Sequence, residues 1–179
     1  MKTLTSQAFK TCAGIRHNLY YENTETYIEN ELWKFHFFVI KNSFYGHHHQ
    51  IPDRGKVVKI GIKDGSTEFE AFGLRTPNGI GLNVDSEIFV ADNQGDWLPA
   101  SKIVHIQKGQ FYGSHSVDPI GTKDLQEKLP VVWLPQDEIG NSPSTPTYLN
   151  IGPYKNQLIH GEVTHGGIKR VAYEEVEGQ

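Results

Sequence analysis

A chain of 179 residues with a net charge of −4 has room for an ordinary domain with a true core. Its mild acidity, without a basic patch, argues against a nucleic-acid partner. A lone cysteine, Cys12, excludes a disulfide framework and a cysteine metal site; no apolar run is long enough to cross a membrane, and the first residues lack the apolar stretch of a signal peptide.

Residues 1–52 keep no steady period. Residues 20–27 are polar and aromatic without pattern, whereas 31–40 alternate in part and carry aromatic and β-branched side chains, which predicts a strand or a buried helical turn. From Asp53 the punctuation becomes regular. Strands are predicted over 56–62 and 67–72, joined through Asp64 and Gly65, a pair that short hairpin loops prefer. Residues 74–97 hold two apolar runs, 79–82 and 87–91, on either side of Asn83, Val84, Asp85 and Ser86. Asn, Asp and Ser bond their own backbone, so this stretch predicts a hairpin. A third strand over 102–107 follows. Residues 114–130 are polar and irregular and predict a long loop with a helical turn near 123–128; loops of that length are often functional. Residues 131–134 predict a short strand, and 141–146 a loop, because Pro143 and Pro146 cannot join a ladder. Strands over 157–163 and 168–173 are linked by Thr164, His165, Gly166 and Gly167. Short strands between regular turn signals place the chain in the all-β class.

An antiparallel hairpin sets the start of its first strand beside the end of its second. Arg75, Thr76 and Asn78 stand before or early in the first run; Asp92, Asn93, Gln94 and Asp96 follow the second. These polar groups are expected to share one end of the pair.

The succession Arg75-Thr76-Pro77-Asn78-Gly79-Ile80, a strand, Asp92-Asn93-Gln94-Gly95-Asp96, residues 102–106 and then Phe111-Tyr112-Gly113 resembles the soluble quinoprotein sugar dehydrogenases, the glucose/sorbosone dehydrogenase-like superfamily, and within it a little-characterised bacterial branch. The resemblance spans residues 53–176 and implies a six-bladed β-propeller. Blades of this kind take roughly 40–45 residues, and closed propellers have about 4–8. The chain is therefore expected to be a partial, open β-propeller of about three to four blades, with 1–52 a divergent segment and 53–179 the propeller domain. The resemblance further implies pyrroloquinoline quinone (PQQ) and calcium as cofactors, hydride transfer from a sugar or alcohol, and a periplasmic or extracellular location. The family's upstream histidine base has no recognisable counterpart in 1–52. The chain alone is accordingly expected to be inactive and to self-associate through open sheet edges.

By the resemblance, Arg75 and Gln94 contact the quinone, and the Gly95 carbonyl helps hold calcium, with Asp96 beside it. Two positions depart from the family pattern: Thr76 stands for its usual Asn and Asp96 for its usual Pro. A guanidinium binds carboxylates in a bidentate way and stabilises an oxyanion; equally, Arg75 forms a structural ion pair with Asp92 or Asp96. Asp92, Asn93 and Asp96 offer three oxygens in five residues to a hard cation, or form an Asx-rich turn that caps itself. His47, His48 and His49 cannot all aim at one metal from a strand; His47 and His49, with His36, form a candidate pairing, against an exposed loop. His165, beside Glu162, is the nearest match to a basic cofactor contact and a candidate proton acceptor, against a surface histidine in a turn. Trp97, Phe111, Tyr112, Trp133 and Tyr148 stack on a sugar or pack between blades; packing is expected for Phe111, Tyr112 and Trp133. Two function classes follow: part of a quinone-dependent sugar or alcohol dehydrogenase, and a propeller that binds a ligand or protein without chemistry.

Overall fold

A computed structural model describes residues 27–30, 35–39, 52–61, 63–95 and 97–174. Among the described residues there are eleven strands and no helix. The first sheet takes β1 (Tyr27–Asn30), β2 (Phe35–Val39), β3 (Val57–Gly61) and β4 (Thr67–Ala71) in sequence order. The second takes β5 (Thr76–Leu82), β6 (Ile88–Asn93), β7 (Ser101–His105) and β8 (Val132–Leu134), and the third β9 (Thr147–Tyr148), β10 (Leu158–Gly161) and β11 (Ile168–Val171). Neighbouring strands within each sheet are antiparallel. Three meander sheets that do not close into a ring make an all-β, partial β-propeller.

The turns carry the chemistry the sequence announces. Asp64 Oδ1 accepts the Ser66 N–H at 3.0 Å and its hydroxyl at 2.8 Å. Asn83 Oδ1 accepts the N–H groups of Asp85 and Glu87 at 3.0 and 2.8 Å, so one side chain organises the whole β5–β6 turn. The helical turn expected near 123–128 is not formed; the chain makes turns over 119–124 and runs on without helix. Just before 123–128, Asp118 accepts the Gly121 N–H through its side chain and both the N–H and the hydroxyl of Thr122 through its carbonyl. The strand reading of 31–40 is the one observed, as β2. β1 and β9 fall where no strand is predicted.

The second sheet lies between the other two. Along β6, Ile88 and Val90 pack toward the first sheet with Val57, Ala71 and Leu74, while Phe89 and Ala91 pack toward the third with Leu158 and Val171. Alternation of side chains gives each face its own core, and each Val, Leu, Ile or Phe among them contributes about 1.5–3 kcal/mol when fully buried. Gly81 lets residues 146–147 cross β5 at close range: a Cβ there would lie 1.7 Å from the Pro146 carbonyl oxygen.

Candidate functional site

The start of β5 and the end of β6 meet as hairpin geometry requires, with Thr76 opposite Asn93 and Pro77 opposite Asp92. Asp92 is fully buried. Its carboxylate accepts the Arg75 N–H, at 3.2 and 3.0 Å to its two oxygens, and the Thr76 N–H at 2.8 Å. Burial pushes its pKa up to about 6, although those N–H bonds and the charges of Lys102 and Arg75 pull the other way. Both oxygens are thus engaged by the backbone of β5, and Asp92 shapes the strand pair.

The Arg75 side chain turns toward the other strand. Its Nη1 donates to the Gln94 carbonyl at 2.6 Å, and its guanidinium lies against Gly95, where a Cβ would come within 2.1 Å of Cζ. Gly95 has φ +147, a second reason for glycine here. Gly95 and Leu98 then close a tight turn through two backbone bonds of 3.1 and 2.7 Å. Arg75, Gln94 and Gly95 therefore come together, with Arg75 meeting the backbone of Gln94. Asp96 lies outside the described residues. At the same end, Thr76 Oγ1, Asn93 Oδ1 and Gln94 Oε1 are buried without a hydrogen-bond partner among the described residues.

Lys102, opposite Asp92 in the register, is a site residue the sequence reading missed. Its side chain is completely buried, and Nζ donates to the Tyr112 carbonyl at 2.5 Å and to Glu127 Oε1 at 2.6 Å. Glu127 belongs to the long loop, which this pair pins under the second sheet. The signal was a lysine at the head of an apolar run, and it becomes legible only once β6 and β7 are in register.

His165 stands in the β10–β11 turn with 45% of its side chain exposed. Glu162, whose side chain is fully buried, holds that turn. Its carboxylate accepts N–H groups from Asn141 (3.1 Å), Ser142 (3.0 Å), Thr164 (3.0 Å) and His165 (2.5 Å). Burial pushes the Glu162 pKa up, but the N–H groups of His165, Thr164, Ser142 and Asn141 outweigh it and hold the value at about 2. The His165 Nδ1 is 3.6 Å from Glu162 Oε2. A chain of hydrogen bonds joins this carboxylate to Arg75. The Asn141 carbonyl accepts the Ser101 hydroxyl at 3.2 Å, Ser101 Oγ accepts the Gln94 N–H at 3.2 Å, and the Gln94 carbonyl accepts Arg75.

Of the aromatic set, Phe111 and Tyr112 are buried, Trp133 is half-buried beneath the Lys102 ammonium at 5.1 Å, Tyr148 is exposed, and Trp97 is 63% exposed. His47, His48 and His49 lie outside the described residues. His36 is described by its place in β2 alone, opposite Glu29 and Ile60.

No family model matches this chain, and no curated protein matches it. Solved structures do. The chain is similar to an oxidoreductase (glucose dehydrogenase) from Thermus thermophilus with a TM-score of 0.59 and 15% identity, over 81% of this chain and 46% of that one. It is similar to the PQQ-bound aldose sugar dehydrogenase of Streptomyces coelicolor with a TM-score of 0.51 and 16% identity, over 78% and 46%. The soluble aldose sugar dehydrogenase of Escherichia coli gives 0.54 and 14%, over 85% and 55%. The fold is thus the one found in these sugar dehydrogenases, and the chain spans about half their length.

Proposed function

We propose that the chain carries part of the cofactor site of a quinone-dependent sugar or alcohol dehydrogenase, with Arg75, Gln94 and Gly95 holding PQQ and the Gly95 carbonyl and Asp96 holding calcium. One observation carries this reading. A guanidinium is fixed on the Gln94 carbonyl and the bare Cα of Gly95, at the strand end where three buried oxygens lack partners among the described residues. The Asn93 and Gln94 amide oxygens are acceptors only and would repel a dicarboxylate quinone alone, whereas the Thr76 hydroxyl can also donate. A hard cation that takes about six to eight oxygen ligands lets acceptors and carboxylates coexist. The donor set therefore suits the quinone and calcium together.

Bound PQQ supplies a two-electron acceptor. Arg75 provides a fixed positive charge beside it, held in place through the Asp92 anchor at its own backbone. Glu162 orients the turn of His165, the proposed acceptor of the substrate hydroxyl proton. A periplasmic or extracellular location accords with the resemblance.

Equilibrium dialysis of the longest protein carrying this segment, with PQQ and calcium, tests this. Arg75→Ala is expected to weaken binding by about 1.5–3 kcal/mol, the worth of a charge-assisted contact. Equal binding by the variant and the wild type refutes the assignment. One observation favours the alternative, a ligand- or protein-binding propeller without chemistry: the Glu162 carboxylate is engaged by four N–H groups, and the link from His165 to Arg75 runs through a chain of intervening residues. Quinone binding without dye-linked sugar oxidation in the longest protein carrying this segment supports that second reading.

A further inference from the structure

We propose that His160 is an acid-released latch: it holds the third sheet against the second while its ring is neutral, and frees it when the ring takes a proton. The residue lies in the seam between the two sheets. Its surface is 1% exposed. It stands two places after Leu158 along β10 and so shares that residue's face. Leu158 packs there with Phe89, Ala91, Ile103 and Leu134 of the second sheet.

The ring is held in one form. Its Nδ1 lies 2.8 Å from the Gly161 carbonyl, which can only accept, so Nδ1 carries the hydrogen. In the neutral ring Nε2 then bears a lone pair. That atom is buried and has no hydrogen-bond partner among the described residues. A second proton on Nε2 sets a positive charge in the seam with no acceptor to meet it, which costs far more than an idle lone pair.

The charged groups around the ring do little to offset that cost. β11 places Lys169 directly opposite His160, on the same face, and adds a like charge. Residues 141–148, beside β10, carry no charge. From the second sheet, β6 and β8 present Phe89, Ala91 and Leu134, and β7 presents Ile103 and His105. His105 stacks on Phe89 with Glu87 beside it. Glu162 is the carboxylate that favours the charged ring, yet its oxygens already accept four N–H groups, and His165 stands across from it. Burial therefore lowers the His160 pKa below the ordinary 6.5; the Gly161 and Glu162 contacts oppose this and Lys169 reinforces it. The unfolded chain takes this proton more readily than the folded one. The contribution of the neutral ring is whole above pH 6.5 and declines as pH falls below it. That range lies above the one in which Glu162 titrates. Asp92, on the opposite face of β6, has the opposite sign, because its raised pKa makes proton uptake stabilising.

The test is hydrogen exchange of the 179-residue chain from about pH 7.5 to about 5.5, corrected for intrinsic rates and read beside the 15N shifts of the His160 ring. Protection in β10 and β11 is expected to fall by up to about tenfold per pH unit, the limit for one proton taken up on opening, while β6 keeps its protection. The ring is expected to be the neutral Nδ1–H form in the protected state and to charge as protection is lost. His160→Gln, which takes up no proton, should hold its protection level across the range. Equal acid loss in His160→Gln, a ring that charges while β10 stays protected, or protection in β10 and β11 that does not fall overturns the proposal. Where the Gln variant does not fold, the ring titration of the wild type decides alone.

Discussion

Asp92 has no exposed surface and is held by the backbone it organises. Removing its carboxylate strands the N–H groups of Arg75 and Thr76 inside the β5–β6 pair. Asp92→Ala is therefore expected to cost about 2–4 kcal/mol in urea unfolding. The pH dependence has a definite sign. The folded pKa, about 6, lies above the ordinary value of 3.8, so the folded state keeps its proton longer than the unfolded chain. Stability falls as pH rises through that window, by about 3 kcal/mol in all. Asp92→Asn, whose single carbonyl oxygen can still accept both N–H groups, should flatten this slope between pH 4 and 6; an unchanged slope would assign the titration elsewhere. The meeting of Arg75, Gln94 and Gly95 was legible in the sequence because a hairpin fixes which residues share an end. Lys102 and Glu127 were not legible, since their pairing depends on the register of a third strand and the course of a long loop.

Among elements, the 141–146 loop does the joining. It accepts the Asn78 amide at the Pro143 carbonyl (3.2 Å), receives Ser101 at the Asn141 carbonyl, and gives two N–H groups to Glu162. Pro143 and Pro146 announced a loop, yet nothing in the local sequence announced that it would bind two sheets. β9 escaped notice for a related reason: two residues beside β10 carry no period of their own. Because the Glu162 pKa is depressed from 4.5 to about 2, its contribution is fully present above pH 4.5 and is lost as pH falls toward 2. Hydrogen exchange at Asn141, Ser142, Thr164 and His165 should accelerate together in that range, ahead of β6. Glu162→Gln should show acceleration already at neutral pH at His165 first, because the amide NH2 then replaces Oε2, which accepts His165, while the remaining oxygen still accepts Asn141, Ser142 and Thr164. Protection that survives both treatments would mean the loop is held by something else.

For the whole molecule, the contrast between sheets matters most. The second sheet is covered on both faces. The third is covered on the side of Leu158 and Val171, while Ile168 (74%), Val163 (67%) and Ile151 (69%) are exposed around it. Open edges and exposed apolar side chains recruit other chains. Light scattering of the isolated 179-residue chain is expected to report self-association, and Ile168→Lys to reduce it. Dye-linked sugar oxidation by this chain alone, with PQQ and calcium added, is expected to be absent, because the chain spans about half the length of the dehydrogenases it resembles in fold. Robust turnover from a monodisperse monomer would refute that expectation.

The burial of Lys102 has a practical consequence. Amine-acylating reagents reach Lys108 and Lys123, which are 67% and 66% exposed, in the native protein. The Lys102 amine has no exposed surface, and trypsin likewise finds no accessible chain on either side of it. Modification or cleavage at that one lysine therefore waits for the second sheet to open, and its rate counts those openings. A peptide mass map over time thus separates fraying at the molecular surface from disruption of the central blade.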